Sequence, residues 1–232
     1  MPSLNKTVPF QVFQIVSLAR GNFDFAIDDV NRLLKLHDAE TKRERGRPSR
    51  QVEFFKRAGV ILSVTAWESF FEDTIRGCAE RRIATAASPA DVQRLFNSVA
   101  QGWLQEAPKP PELAKWTADG WKHLLRRKLG ADLQALNTPN TENLKSLSMR
   151  YLEVDITAHW SWKRTSAMSA ATSLDKLIRL RGELAHRGPE LFKGASVHRK
   201  QVVDAVLLLK RLVECTERAV GAVPRSETAP AN

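Results

Sequence analysis

Apolar residues recur at intervals of three and four along most of this 232-residue chain, which is the spacing of one face of an α-helix. The period-two alternation that marks a half-buried strand is approached only in the segment YLEVDIT, residues 151–157. Hydrophobic residues make up 43% of the chain and charged residues 27%, a balance typical of a folded globular protein. The pattern therefore predicts an all-α protein with a sizeable core.

Four long helices are predicted from this periodicity, at about residues 23–39, 51–86, 169–185 and 196–220. The intervening block, residues 88–160, contains an N-cap signal at Ser88 with Pro89, a Pro-rich break and a short helix at about 142–151. We expect a four-helix bundle with this helical block inserted between its second and third core helices. Residues 1–220 are expected to form one domain, and residues 221–232 a flexible tail.

The buried faces of these helices are predicted from their apolar positions. In the first helix they are Phe25, Ile27, Val30, Leu33, Leu34 and Leu36; in the second Phe54, Phe55, Ala58, Ile61, Leu62, Thr65, Phe70, Ile75 and Cys78; in the last Val203, Val206, Leu207, Leu209 and Val213. Trp116 and Trp121 are expected in the core of the inserted block. Cys78 and Cys215, the only cysteines, lie far apart without a C-x-x-C partner and are expected to be reduced core thiols.

A formal net charge of +10 favours association with polyanions such as nucleic acids. The arginine-rich segment 40–50 is either a solvated hinge or an arm that contacts phosphates. No apolar run approaches the roughly 20 residues that a membrane span needs, and the N-terminus MPSLNKTVPF lacks the pattern of a secretory signal. These features predict a cytoplasmic protein without a membrane partner.

The segment LIRLRGELAHRG, residues 177–188, carries the residues best suited to chemistry. Imidazole exchanges protons near neutral pH, and guanidinium pairs with phosphate oxygens, so His186 and Arg181 together supply what metal-free RNA cleavage needs. Positions five apart lie about 140° apart around an ideal helix. The pair therefore requires the helix to end or unwind between them, which Gly182 and the Gly-Pro stop after Arg187 would permit.

Common catalytic and metal-binding motifs are missing from the sequence. H-E-x-x-H, Walker A, G-x-G-x-x-G and G-x-S-x-G patterns do not occur. None of the five histidines forms an i, i+4 pair with another. We therefore expect no metal site and no cofactor.

The residues RGELAHRG, read as R-x4-H followed by glycine, resemble the signature of HEPN-domain ribonucleases. The segments AWESFFEDTIRG (66–77) and NLKSLSMRYLEVDI (143–156) resemble the second helix and the approach to the motif in the RiboL-PSP-HEPN branch. The resemblance covers about residues 50–215. It implies a helical bundle that dimerises with two motifs around one cleft, and metal-independent cleavage that leaves 2′,3′-cyclic phosphate and 5′-hydroxyl ends.

Carried onto this chain, the resemblance assigns His186 as the acid/base and Arg181 as the phosphate stabiliser. Glu68, in the acidic-aromatic segment, is expected either to support this pair by holding Arg181 or orienting His186, or to face solvent. Gly182 departs from the small polar residue, commonly asparagine, that follows the motif arginine in the family. An asparagine at this position would contact a phosphate or order the histidine, so the glycine counts against full catalytic activity.

Six further residues are candidates for RNA contact, each with a structural alternative. Two arginines either widen the phosphate surface or complement the helix dipole, and two tryptophans beside two cations either stack on bases or pack in the core or a dimer interface. The candidates are Arg179, Arg187, Trp160, Trp162, Lys163 and Arg164.

Three hypotheses follow for the function. The first is a homodimeric HEPN endoribonuclease acting in a toxin–antitoxin, phage-defence or stress system, with a possible antitoxin or defence partner protein. The second is a non-catalytic HEPN module that binds RNA or a partner protein. The third is a purely structural helical scaffold, in which His186 is an ordinary helix-terminal histidine.

Overall fold

The computed structural model describes residues 7–43, 50–105, 116–136, 138–186 and 197–221. Within these ranges the α-helices are α1 (Thr7–Arg43), α2 (Arg50–Thr85), α3 (Gln93–Gln105), α4 (Gly120–Gln134), α5 (Thr141–Leu152), α6 (Ala167–His186) and α7 (Arg199–Gly221). Two 3₁₀ turns, Pro89–Val92 and Ile156–His159, join them. The described residues contain no strand beyond one isolated bridge between Trp162 and Thr165. The predicted all-α class is confirmed.

The helix α2 is the centre of the fold. It packs against α1, α6 and α7, and α7 also contacts α1 and α6, so these four helices form the bundle. A Cβ at Gly59 of α2 would lie 2.8 Å from the Cγ1 of Val202, so a glycine is needed where α7 crosses closely. Helices α3, α4 and α5 lie between α2 and α6 in the chain, and α4 and α5 pack on α2.

The inserted helices attach to the C-terminal end of α2 through specific polar contacts. Arg82 donates a 2.7 Å hydrogen bond to the Tyr151 carbonyl and pairs with Glu153, while the Tyr151 hydroxyl donates to Asp132. Phe96 of α3 packs edge-on against Trp121 of α4. One cluster of buried side chains includes residues of both the bundle and the inserted helices.

The predicted helix bounds hold within about three residues for α2, α6 and α7. The first helix is longer than predicted, and on its N-terminal side the buried residues Val16 and Ala19 continue the apolar face before residue 23. The segment YLEVDIT forms the end of α5 and the start of a 3₁₀ turn rather than a strand. Residues 44–49 and 222–232, assigned to the arginine-rich arm and the tail, lie outside the described residues.

Several apolar residues that were assigned to the core are exposed. Phe25 and Leu36 of α1 are 69% and 51% exposed because they lie on the opposite side of that helix from buried Phe23, Ile27 and Val30. The same correction applies to α2 and α7, where the exposed residues are Phe54, Leu62, Thr65 and Leu207. The buried face of each helix is therefore narrower than its apolar face.

No helix in the described ranges combines the length and the apolar character that crossing a membrane requires.

Candidate active site at the end of α6

Arg181 lies on the core-facing side of α6. Buried residues at helical spacing define this side: Ala170, Leu174, Leu177, Ile178 and Leu184. Position 181 continues this row, four residues after Leu177 and three before Leu184. The sequence therefore places a permanent cation where the packing pattern of the helix favours an apolar side chain.

The Arg181 guanidinium meets the carboxylate of Glu68 on α2. Its Nη2 lies 3.4 Å from Oε2 of Glu68, and the two side chains are 30% and 18% exposed. The Nε of Arg181 is buried and has no hydrogen-bond partner in the described part of the chain. A guanidinium carries five N–H donors, so this contact leaves donors available for an anion. Of the two roles predicted for Glu68, the structure shows the one that holds Arg181.

Burial raises the pKa of the Glu68 carboxyl above its ordinary value. The positive charge of Arg181 opposes this shift, and the nearby carboxylate of Glu72 adds to it. The charged form of Glu68 is thus held in a place that partly disfavours it.

The helix α6 continues without interruption to His186, its last residue. The expectation that it unwinds at Gly182 is wrong, because Gly182 takes ordinary helical geometry. A Cβ at Gly182 would meet no atom within 4 Å, so packing does not require a glycine there. Positions 181 and 186 of one chain therefore stay about 140° apart around the helix.

Of the two further arginine candidates, the structure describes only Arg179. Arg179 is exposed and lies two residues before Arg181, about 160° away around α6, so it cannot widen a phosphate surface on the same side. Arg187 lies outside the described residues. This side of the candidate site thus rests on Arg181 and Glu68.

Trp160 is fully buried, which rules out the predicted stacking of its ring on RNA bases. Its indole Nε1 donates a 3.0 Å hydrogen bond to Oγ1 of Thr216 on α7, and its ring packs edge-on against Trp67. The structural alternative, packing in the core, is the one observed. Thr216 was missed by the sequence analysis, although it lies at helical spacing on the apolar face of the last helix, after Leu212 and Val213.

Trp162 is partly buried against the core and opens a tight turn that is closed by paired backbone hydrogen bonds with Thr165. Lys163 and Arg164 are exposed at the tip of this turn, with Arg164 in the left-handed region at φ 67°. The two cations remain available to solvent. They are not in contact with Arg181 or Glu68.

A groove of about 420 Å³ lies between α1 and α2, on the α1 side of α2. It is lined by Asn22, Ala26, Asp29, Leu62, Thr65, Ala66, Ser69 and Asp73. Neither Arg181 nor Glu68 lines it, so it is separate from the candidate site. Among the described residues, no group of three or more His, Cys, Asp or Glu side chains could hold a metal ion.

The class of protein follows from the match to a family model. The described helices form an all-α bundle whose third helix carries Arg181 beside Glu68 of the second and ends at His186. The model of the RiboL-PSP-HEPN family matches residues 22–222. The chain therefore belongs to the RiboL-PSP-HEPN family, and the resemblance found in the sequence is confirmed. Comparisons with curated proteins and with solved structures give no significant match.

Proposed function

We propose that this HEPN-type module is a metal-independent endoribonuclease. One observation carries the proposal: α6 places Arg181 in a half-buried position beside Glu68, with unused N–H donors, on the same helix that ends at His186. A fixed guanidinium suits the extra negative charge that phosphorus carries during transfer. Imidazole suits the proton that leaves the 2′-hydroxyl or enters the leaving 5′-oxygen.

The proposed reaction breaks and forms bonds at one phosphodiester. His186 removes the proton of the 2′-hydroxyl, whose oxygen then attacks the adjacent phosphorus. The bond to the 5′-oxygen breaks, and that oxygen takes up a proton from the protonated imidazole of His186, which returns to its neutral form. The products are a 2′,3′-cyclic phosphate and a 5′-hydroxyl, with Arg181 stabilising the phosphorane-like charge in transit.

A second copy of the chain is part of the proposal. Because positions 181 and 186 lie about 140° apart on one uninterrupted helix, a single chain does not bring them to one face. Pairing Arg181 of one copy with His186 of the other across a two-fold axis would complete the site twice. We further propose that the dimer acts in a toxin–antitoxin, phage-defence or stress system, where a partner protein restrains it.

Cleavage in EDTA tests the catalytic role. We expect the wild type to cut a single-stranded RNA, and His186→Ala to lower the rate about 10²–10⁴-fold. His198→Ala is the matched control, because His198 is an exposed histidine just before α7. The new ends should accept a 5′ label from polynucleotide kinase without prior phosphatase treatment. Equal rates for wild type and His186→Ala would remove the catalytic proposal.

Mixed dimers test the shared cleft. Arg181→Gln and His186→Ala chains are each expected to be inactive alone. After random mixing, half of the dimers are mixed and each has one intact pair, so about a quarter of wild-type activity should return if the pair forms between chains. No recovery, in a mixture that sedimentation shows to be dimeric, would place both residues of each pair in one chain.

A non-catalytic HEPN module that binds RNA or a partner protein is the second candidate. Gly182 favours it, because no side chain follows Arg181 to contact a phosphate or order the histidine, and packing does not require a glycine there. This candidate predicts RNA binding without cleavage by the wild type. It also predicts that His186→Ala binds with unchanged affinity.

A further inference from the structure

The cations of helix α4 fall into two groups. Lys122 and Lys128 are neutralised by Asp119 and Asp132 at 3.3 and 2.7 Å. His123, Arg126 and Arg127 make no hydrogen bond or ion pair with any residue that the structure describes. His123 and Arg127 are exposed, and Arg126 is partly exposed. The structure therefore leaves three basic side chains of one helix without internal partners.

These three side chains share one face of α4. Positions 123, 126, 127, 130 and 134 follow the i, i+3, i+4, i+7, i+11 spacing of a single helical face. The one carboxylate within α4, Asp132, lies off this face and accepts from Lys128, Arg150 and Tyr151. Asp119, the N-cap residue four positions before His123, also borders this face, but it is paired with Lys122. The basic side chains of the face therefore have no carboxylate partner among the described residues, whereas surfaces normally intersperse both signs of charge.

Gly130 continues this face by one turn. A glycine weakens the interior of a helix relative to alanine. A Cβ at this position would meet no atom within 4 Å, so no packing contact demands the glycine. One turn of this face thus carries His123, Arg126 and Arg127, and the next turn carries Gly130, which has no side chain. An extended polyanion can therefore lie close to the helix backbone at Gly130.

We propose that this face of α4, defined by His123, Arg126, Arg127 and Gly130, binds the phosphate backbone of the RNA. The inference rests on the proposed function for the class of ligand. Guanidinium groups pair with phosphate oxygens in two-point contacts, and the face carries two of them. RNA is favoured over an acidic protein because the bare turn at Gly130 suits a regular backbone rather than branched side chains.

The binding face lies well away from Arg181. The Nζ of Lys122 lies 3.5 Å from the Ala84 carbonyl near the C-terminus of α2, whereas Arg181 meets Glu68 on the same helix. Sixteen residues separate positions 68 and 84, which is about 24 Å along α2. At 3.4 Å for each stacked nucleotide, a strand needs about seven nucleotides to reach from one place to the other. The α4 face therefore anchors long RNA and leaves short RNA unaffected.

Fluorescence anisotropy with labelled RNA tests whether the α4 face anchors RNA, a role that we call the anchor. The protein carries His186→Ala so that the probe stays intact. The probes are 5-nucleotide and 20-nucleotide single-stranded RNAs of mixed sequence. In this background, the double variant Arg126→Gln with Arg127→Gln should bind the long probe about tenfold more weakly or worse. The slope of the logarithm of the binding constant against the logarithm of the salt concentration should become less steep by about 1.4. The short probe should bind as before, and circular dichroism should show an unchanged fold.

The matched control removes the same charge elsewhere. Lys35→Gln with Lys176→Gln replaces two exposed cations of α1 and α6 that have no described partner, and long-probe affinity should change less than twofold. Equal losses in both double variants, or unchanged affinity in the α4 variant, would overturn the anchor. Tighter binding of polyglutamate than of RNA at the α4 face would overturn it in favour of an acidic protein partner.

Failure of the anchor and failure of the proposed function are distinguishable. A wild type that binds the long probe through α4 but never cuts it would remove the ribonuclease and keep the anchor. A wild type that cuts both probes, with the α4 variant cutting the long one equally well, would remove the anchor and keep the ribonuclease.

Discussion

Replacing Trp160 tests how the segment that leads into α6 is held. Trp160 is fully buried, its indole N–H donates to Oγ1 of Thr216 at 3.0 Å, and its ring centroid lies 5.8 Å from that of Trp67 in an edge-on contact. Trp160→Phe removes the N–H and part of the ring. Thr216→Val removes the acceptor while keeping a side chain of similar shape.

The magnitudes follow from burial and from the single hydrogen bond. Trading the larger ring for phenyl costs about 1–2 kcal/mol in lost transfer free energy and cavity formation. Leaving the Thr216 hydroxyl buried without its partner adds about 1–3 kcal/mol, and Thr216→Val costs a similar amount by orphaning the indole N–H. The double variant leaves neither group unpaired. Its loss should therefore fall below the sum of the single losses by about 1–2 kcal/mol.

Urea unfolding of the wild type, the two single variants and the double variant measures this coupling, with equal slopes as the check on two-state behaviour. Losses that add to within about 0.5 kcal/mol would refute the reasoning, because independent sites behave in that way. The affinity of the folded Trp160→Phe protein for RNA should equal that of the wild type. A specific loss of RNA affinity would instead mean that the ring reaches the ligand.

Three further outcomes are expected. Burial raises the pKa of Glu68, so the folding stability of the wild type falls as the pH rises above the ordinary value of 4.5. In thermal melts, the stability of Glu68→Gln relative to the wild type should therefore increase over that pH range and then become constant. Asp155→Asn should show the opposite sign, a loss of stability that disappears at low pH. Burial alone would raise the pKa of Asp155, but the hydrogen bonds from Lys145, Thr157 and the Ala158 backbone together with the charge of Lys145 lower it. Burial raises the pKa of Cys78 to about 11, and Cys215 is also buried, so Ellman's reagent at pH 8 should label both only at the rate of unfolding; fast labelling of the native protein would contradict this.

The helices of the bundle were predictable because their signals are local. Apolar spacing, caps and the flanking proline and glycine residues located α2, α6 and α7 closely. The pairing of Arg181 with Glu68 was suggested by a family resemblance rather than by spacing, since the two positions are 113 residues apart in the sequence. A contact over that separation depends on how helices pack, which periodicity does not specify.

The errors share a physical cause. Periodicity shows which residues are apolar, but not how much of each apolar face a neighbouring helix covers, so Phe25 and Leu36 were misplaced. For Trp160, the cationic neighbours in sequence left RNA stacking open beside core packing, and the choice between them depends on Thr216 in a distant helix. Gly182 was expected to let the helix end or unwind before His186, but a single glycine costs too little to interrupt a helix that packing holds on one side.

Arg181 lies on the packed side of α6, where an apolar side chain would make the fold more stable but could not serve the proposed function. A leucine at that position would complete the apolar row and remove a buried nitrogen without a partner. The same packing restricts the rotamers of the arginine, so less side-chain entropy is lost when an anion binds. Variants of this protein selected only for resistance to heat should therefore lose Arg181 early, and with it the guanidinium that we propose to hold a phosphate.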